Sequence, residues 1–561
     1  MNERRSNRRI RLLLGVFALV FAGTLARAVW LQGVQASTLE QMASRQHQAT
    51  TTIPAGRGTI FDRTGEPLAI GEQATTIYAD PRLVKNPRGV AVAAAKSLGL
   101  DAEKLYPLLA DRSRHFVYVK RKADPAKAAE LEKLKLPGLG FYSEELRYYP
   151  QRGVTAHVLG YAGVDNEGLE GLERSLNRSL RGQAGTQTTV TDPVGRVIDV
   201  ISTKPERPGD DVFLTLDHRI QANAESTLRE TVKRWGAKGG TAIVLDPTTG
   251  AVLAMAVAPG YDANKFGSAS ADRRRNRAVT DVYEPGSTFK VVTVAAALSE
   301  KIVSPTTPFT LATSIRVADR IIHEHEPRAT QRMTVAQILS QSSNVGTITL
   351  AQMLGRPRME SWIERLGFGK STGVDAPGES RGLLPGYWSG STIGNVPIGQ
   401  GIGVTPIQMA TAYAAIANGG VMHVPHLVER VGSEWTSRNK GRRVISRTVS
   451  AQMMAMLRDV VSAEGGTGAA AAVPGYTVAG KTGTAAKPIP GGYSTSRYVA
   501  SFVGVVPAKD PRLVVLVQID EPRGTIWGGV VAAPAFAEIA RSSLVELEVA
   551  PDAEPNSAVT R

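Results

Sequence analysis

The chain has 561 residues, with 66 Lys plus Arg against 51 Asp plus Glu, a formal charge of +15 and no cysteine. That length predicts more than one domain, and the missing cysteines exclude disulfide scaffolds, zinc–thiolate and iron–sulfur sites and any thiol nucleophile. A hydrophobic fraction of 42% excludes a disordered chain and a polytopic membrane protein, while the charge raises a nucleic-acid reading that depends on where the charge sits.

The first eleven residues carry Arg4, Arg5, Arg8, Arg9 and Arg11 against Glu3, which is +4 of the total, and residues 12–26 hold no charge. As a helix, residues 12–31 span roughly 30 Å, enough to cross a bilayer core. Arginines before the span predict a single-pass anchor with its N-terminus in the cytoplasm, in the inner membrane, and the remaining chain outside. Arg27 lies at the far end, where it can snorkel beside Trp30. Two rival readings are a signal peptide cleaved at Ala26-Arg27-Ala28 and a buried helix of a soluble domain. Without this segment and Arg27, +10 remains, scattered over the chain. Its densest run, Arg273, Arg274, Arg275 and Arg277, has no interleaved aromatic residue, so no nucleic-acid partner is expected.

Residues 36–48 read as a polar helix. Arg57 to Ala69 read as strand, turn and strand, with Thr64-Gly65 at the turn. Residues 87–135 contain amphipathic helices over 90–98 and 125–134, and residues 140–215 return to short strands and glycine-rich turns. A boundary falls at Pro208-Gly209-Asp210-Asp211. After it come a strand, a helix capped by Asp217 and reaching residue 234, and a hairpin of strands over 241–245 and 251–256. Residues 287–425 read as a long helical region. Three strands follow over 476–484, 498–506 and 513–519, then a helix over 535–546. Strands at both ends with helices between predict an α+β domain whose single sheet receives an all-helical insertion. The expected division is a cytoplasmic tail (1–11), an anchor (12–31), a pedestal (32–210), a catalytic domain (211–547) and a disordered polar tail (548–561).

Three motifs carry chemistry. Ser287-Thr288-Phe289-Lys290 follows Glu284-Pro285-Gly286 and opens a helix, so Ser287 and Lys290 share a face one turn apart. A serine hydroxyl needs a base, and a lysine serves when desolvation and nearby cations depress its pKa. In Ser342-Ser343-Asn344 a hydroxyl can relay a proton and an amide can orient the lysine and a substrate carbonyl. Lys481-Thr482-Gly483-Thr484 lies on a predicted strand, where small residues admit a substrate backbone, Lys481 adds a cation, Thr482 a hydroxyl and Thr484 a backbone N–H for an oxyanion. Alone, each motif also reads as a helix cap, a polar turn or a strand end. Their order and context match the serine acyl-transfer set of penicillin-binding proteins and several β-lactamases.

The chain resembles the class B penicillin-binding proteins, monofunctional peptidoglycan D,D-transpeptidases. Besides the three motifs, Arg57-Gly58 through Leu68-Ala69, Arg147-Tyr148-Tyr149-Pro150, Gly160-Tyr161 and Gly168-Leu169-Glu170-Gly171-Leu172-Glu173 resemble the family's pedestal, and Asp246-Pro247 through Met255 its first catalytic hairpin. Glu284 to Lys290, Gly401-Ile402-Gly403-Val404-Thr405-Pro406 and Tyr498-Val499-Ala500-Ser501-Phe502 resemble the FtsI-like division branch. The resemblance implies a single transmembrane helix, an elongated α+β pedestal of the dimerisation type, and a transpeptidase domain built on a five-stranded antiparallel sheet.

It also implies a reaction. Ser287 would attack the penultimate D-alanine of a stem pentapeptide with Lys290 as base, release D-alanine, and pass the acyl group to an amine of a neighbouring stem. Ser342 would shuttle the proton with Asn344 holding the network. The N–H groups of Ser287 and Thr484 would form the oxyanion hole, Lys481 and Thr482 would hold the terminal carboxylate of the donor or of a β-lactam, and Thr482, Gly483 and Thr484 would be the substrate-binding stretch. Implied partners are peptidoglycan stem peptides, β-lactam antibiotics, the membrane, an FtsW-like glycan polymerase and other division proteins; no metal or organic cofactor is implied. Alternatives are an elongation-type transpeptidase, a β-lactamase or D,D-carboxypeptidase that uses water, and a noncatalytic scaffold or penicillin sensor. His323 and His325 form a His-x-His pair without a third ligand at a recognisable spacing, so an exposed polar segment outweighs a metal site. Gly419-Gly420 and Gly465-Gly466 read as loops, since no Gly-Lys-Ser follows them.

Overall fold

A computed structural model describes residues 3–37, 48–191, 197–326, 328–436 and 440–553. It falls into two compact units, Met1–Gly56 with Gly182–Pro208, and Arg57–Arg181 with Gly209–Arg561. In the first, helix α1 (Glu3–Val29) continues into a π-helical turn at Trp30–Val34. Over Asn7–Val34 it is the one helix, among the described residues, long and apolar enough to cross a membrane, and none of that window is buried. The expected polar helix over 36–48 lies, for residues 38–47, outside the described residues. Strands β1 (Gln48–Ile53), β2 (Gly185–Thr191) and β3 (Val197–Lys204) form an antiparallel sheet in that order.

The segment 32–210 contributes to both units. The hairpin of β2 and β3 supplies the backbone partners of β1, whereas residues 57–181 pack with the catalytic portion. In this second unit, Ile60–Phe61 pairs antiparallel with Pro67–Ala79 and parallel with Val212–Leu214. Asp62 accepts from the Thr64 N–H, the Thr64 hydroxyl and the Glu66 N–H, closing the predicted turn, while Gly65 takes φ +89°. Its other oxygen reaches His218 Nδ1 at 2.6 Å. Buried Glu173 accepts from Arg57 Nε at 2.7 Å and Arg147 Nε at 2.6 Å, so three sequence-distant segments converge on one carboxylate. Helices Pro87–Leu98 and Pro125–Glu132 start at Asn86 and Asp124 caps, each with proline in the first turn.

Helix α2 (His218–Arg234) begins at Asp217, whose side chain accepts from the Arg219 and Ile220 N–H groups. Strands β4 (Gly239–Leu245) and β5 (Val252–Ala258) form the predicted hairpin. Three later strands complete the sheet: β6 (Ala479–Ile489), β7 (Gly492–Val506) and β8 (Leu513–Asp520). The order is β5-β4-β8-β7-β6, antiparallel throughout. Both faces are buried, which is why β4 is apolar without alternation. Ala242 and Val244 join Ile220, Leu228, Phe536 and Ile539 on one face; Ile243 and Leu245 join Val291, Val294, Tyr413 and Leu457 on the other.

Two expectations are corrected. The insertion is not all helical: Pro308–Leu311, Ser314–Val317, Arg320–His323 and Gln331–Thr334 are strands pairing as two antiparallel ribbons. The Thr, Ile, Val and Phe residues of these segments favour the pleated backbone there over the helix. The C-terminal segment is also ordered further than residue 547. Tyr476 Oη donates to the Val549 carbonyl at 2.6 Å, and Asp552 accepts from the Thr477 N–H at 2.6 Å and from its hydroxyl. A carboxylate with two donors pins a segment that composition alone reads as loose; residues 554–561 lie outside the described ones.

Candidate active site

Gly286–Phe289 is a 3-10 turn, and α3 (Lys290–Ser299) continues from it. The turn is fixed from three sides. Thr288 Oγ1 donates to the Pro285 carbonyl at 2.8 Å, Tyr413 Oη to the Thr288 carbonyl at 2.9 Å, and the Gly286 N–H to the Gly399 carbonyl at 3.0 Å. Gly286 has φ +55°, and a Cβ there would stand 2.8 Å from the Thr484 carbonyl oxygen; a Cβ on Gly399 would stand 2.1 Å from that of Gly286. Glycine is required where the Ser287 loop, the 399 loop and β6 meet. Ser287 is half-buried at this junction.

Lys290 is fully buried. Its Nζ donates to the Ser342 carbonyl at 2.6 Å, Ser342 Oγ at 3.2 Å and Asn344 Oδ1 at 2.7 Å. Burial, then the neighbouring Lys481 cation, push its pKa well below the ordinary lysine value, with Arg328 acting in the same direction and Glu324 against it. Ser342 holds φ +58°, a left-handed conformation uncommon outside glycine. Ser343 caps helix α4 (Asn344–Leu354), accepting from the Gly346 N–H at 2.9 Å. The second motif is therefore a helix start turned so that a carbonyl, a hydroxyl and an amide oxygen meet one amine.

Lys481 is also fully buried; its Nζ contacts the Thr482 carbonyl and Oγ1 at 3.3 Å each, and burial depresses its pKa to about 7. Thr482 Oγ1 lies 2.8 Å from Thr467 Oγ1. Gly483 lies where β6 passes the Ser287 turn. A Cβ there would meet Ser501 Oγ at 2.3 Å and the Pro285 carbonyl at 3.0 Å. Thr484 Oγ1 accepts from the N–H of Gly528, the first residue of α7 (Gly528–Val531), at 3.2 Å.

The structure thus brings Lys290, Ser342, Asn344 and Lys481 to one locus, with Ser287 one turn before Lys290 and Thr482, Gly483 and Thr484 on the adjacent strand. Among the described residues Ser287 Oγ makes no hydrogen bond, and the lysine amine is held by the second motif. His323 and His325 separate. The backbone carbonyl of His323 accepts from Asn344 Nδ2 at 3.1 Å, and the His325 ring packs on Trp527 with centroids 4.1 Å apart. Sequence reasoning missed Tyr413, Gly399 and Thr467. Tyr413 lies in the apolar run of α5 (Pro406–Ala417) and reads as plain core; nothing local marks the other two.

Residues 240–541 match the penicillin binding protein transpeptidase domain and residues 52–214 the penicillin-binding protein dimerisation domain. A relative from Neisseria meningitidis, described as probable peptidoglycan D,D-transpeptidase PenA, is 35% identical and covers 97% of this chain and 94% of its own. Peptidoglycan D,D-transpeptidase FtsI of Escherichia coli is 34% identical over 97% and 93%. The crystal structure of penicillin binding protein 3 from Mycobacterium tuberculosis superposes with a TM-score of 0.71 at 30% identity, covering 90% of this chain and 98% of that one, and has also been solved with aztreonam and with ampicillin. With both domains matched in sequence and in fold, around a serine, two buried lysines and a serine–asparagine pair, the chain belongs to the class B penicillin-binding proteins.

Proposed function

We propose that the protein cross-links septal peptidoglycan during cell division, through an acyl-enzyme on Ser287. The enzyme is a serine D-Ala-D-Ala transpeptidase, and the observation that carries the residue assignment is the fixed, buried amine of Lys290. A lysine in water is protonated at neutral pH and takes no proton from a hydroxyl. Desolvation and the Lys481 cation favour its neutral form, so Lys290 accepts the Ser287 proton as Oγ attacks the penultimate D-alanine carbonyl. The N–H groups of Ser287 and Thr484 receive the developing oxyanion. The proton then passes by way of Ser342 to the departing D-alanine amine, while Asn344 keeps lysine and hydroxyl in register. Lys481 and Thr482 hold the terminal carboxylate of the donor, and Gly483 leaves room for its backbone. An amine of a neighbouring stem replaces D-alanine and the steps reverse. A β-lactam enters the same first step and stays on the serine.

The septal role is supported by the likeness to FtsI of Escherichia coli. The arginines in the first turns of α1, ahead of its apolar span, support a cytoplasmic N-terminus and an extracytoplasmic catalytic unit in the inner membrane. An FtsW-like glycan polymerase beside the anchor fits this placement. The test is labelling of the full chain with fluorescent penicillin, with mass analysis of the modified peptide. The expected result is one adduct at Ser287 and none in Ser287→Ala; equal labelling of the variant refutes the assignment. A fluorescent fusion should gather at the division site, and an even lateral distribution refutes the septal role.

A further inference from the structure

The segment between the short strand Arg320–His323 and the strand Gln331–Thr334 holds a buried carboxylate against the second motif. The Glu324 side chain is 2% exposed. Its Oε1 accepts from Ser343 Oγ; its Oε2 accepts from the Asn344 N–H at 2.7 Å and pairs with an Arg328 nitrogen at 2.9 Å. The carbonyl of His323, one residue earlier, accepts from Asn344 Nδ2 at 3.1 Å. Asn344 is thereby held at its backbone and at its amide. Because Nδ2 is committed to His323, Oδ1 must face the other way, where it meets Lys290 Nζ at 2.7 Å. The carboxylate also sits at the start of α4, where the helix dipole favours negative charge.

We propose that Glu324 is a positioning residue for acyl transfer: it clamps Ser343 and Asn344 so that the amide oxygen faces Lys290, and it sets a negative charge against the site's cations. The proposal rests on the reading of Lys290 as the base. The three charged groups that face Lys290 come from two elements: Lys481 on β6, and Glu324 and Arg328 on the segment after the 320–323 strand. Lys481 and Arg328 lower its proton affinity, and Glu324 raises it. Glu324 therefore stabilises the charge that Lys290 takes up when it accepts the Ser287 proton and gives up when the leaving amine is protonated.

A merely structural carboxylate would alter stability without moving the titration of acylation, and the test uses that difference. The full-length protein in detergent is acylated with fluorescent penicillin from about pH 5 to pH 10, so that the acidic limb reports deprotonation of the base. Glu324→Gln keeps the shape and removes the charge. Its limb is expected to move to lower pH by roughly half a unit or more, with the plateau rate reduced about tenfold. Arg328→Gln removes the opposing charge and is expected to move the limb to higher pH, which keeps the proposal testable should the Glu324 variant fail to fold. Limbs that stay at the wild-type pH in the folded variants, or move opposite to these directions, overturn it. Lys290→Arg, run in parallel, separates the two readings: full acylation by that variant refutes Lys290 as the base, whereas its loss together with unmoved limbs refutes only the role of Glu324.

Discussion

At the residue scale, two fully buried lysines share one site, and among the described residues neither meets a carboxylate directly. Such an arrangement is unfavourable for folding and, under the proposed reaction, serves reactivity. The folded pKa of Lys481, about 7, lies below its unfolded value of 10.5, so between those values the unfolded chain binds more protons and stability rises with pH. Below about pH 7 the deficit is at its full size; above 10.5 it is gone. Lys481→Met is therefore expected to be roughly 1–3 kcal/mol more stable near pH 7. The gain should shrink as pH rises towards 10.5, while acylation falls about 100-fold or more. Thermal melts across pH with parallel penicillin labelling check both halves. A variant that melts lower than wild type at pH 7 contradicts this account of the lysine. The lysines themselves were legible in the sequence, because Ser287 and Lys290 lie one turn apart on a single helix start and Lys481 heads a compact strand motif. Glu324 was not: its partners lie 19 and 20 residues further on, and no periodicity ties a carboxylate to a distant helix cap.

At the element scale, the wall of the site depends on how closely α7 seats on β6. Gly528 has ordinary φ, yet a Cβ there would stand 2.3 Å from the carbonyl oxygens of both Gly483 and Ser501. Backbone carbonyls held in paired strands cannot swing aside as a flexible side chain can. Gly528→Ala should lift α7 and weaken the N–H bond to Thr484 Oγ1. The expected cost is about 1–3 kcal/mol, with acylation slowed about tenfold or more. Melting and labelling rates measure the two, and unchanged labelling would show that this contact does not shape the strand. Such contacts were illegible for a plain reason: a glycine without positive φ gives no local sign that another backbone lies against it. The misread insertion has a related cause. Residues 308–334 are short, mixed segments flanked by strong helices, so the surrounding 3.6-residue period hides two ribbons whose pairing is visible only in register. The sheet strands were legible because they are long apolar runs, and the Asp217 cap because its chemistry is local.

At the scale of the whole molecule, neither compact unit is a continuous stretch of chain. In the first, Gln48 of β1 faces Val190 of β2. In the second, β4 lies between β5, its hairpin mate, and β8, which starts at Leu513. This interleaving follows strand pairing rather than chain order, so a linear reading does not display it. It also fixes a timetable. Ribosomes deliver the chain from its N-terminus, so Ser287, Lys290 and the second motif emerge long before Lys481, and β4 waits with an open edge until β8 arrives. A chain stopped after Ser462 should carry Ser287, Lys290, Ser342 and Asn344 and yet take no fluorescent penicillin, whereas the full chain labels; labelling of the shortened chain would show that the last three strands are dispensable. A nascent copy is thus blind to the antibiotic until nearly all of its length has been made, and only finished molecules can be poisoned.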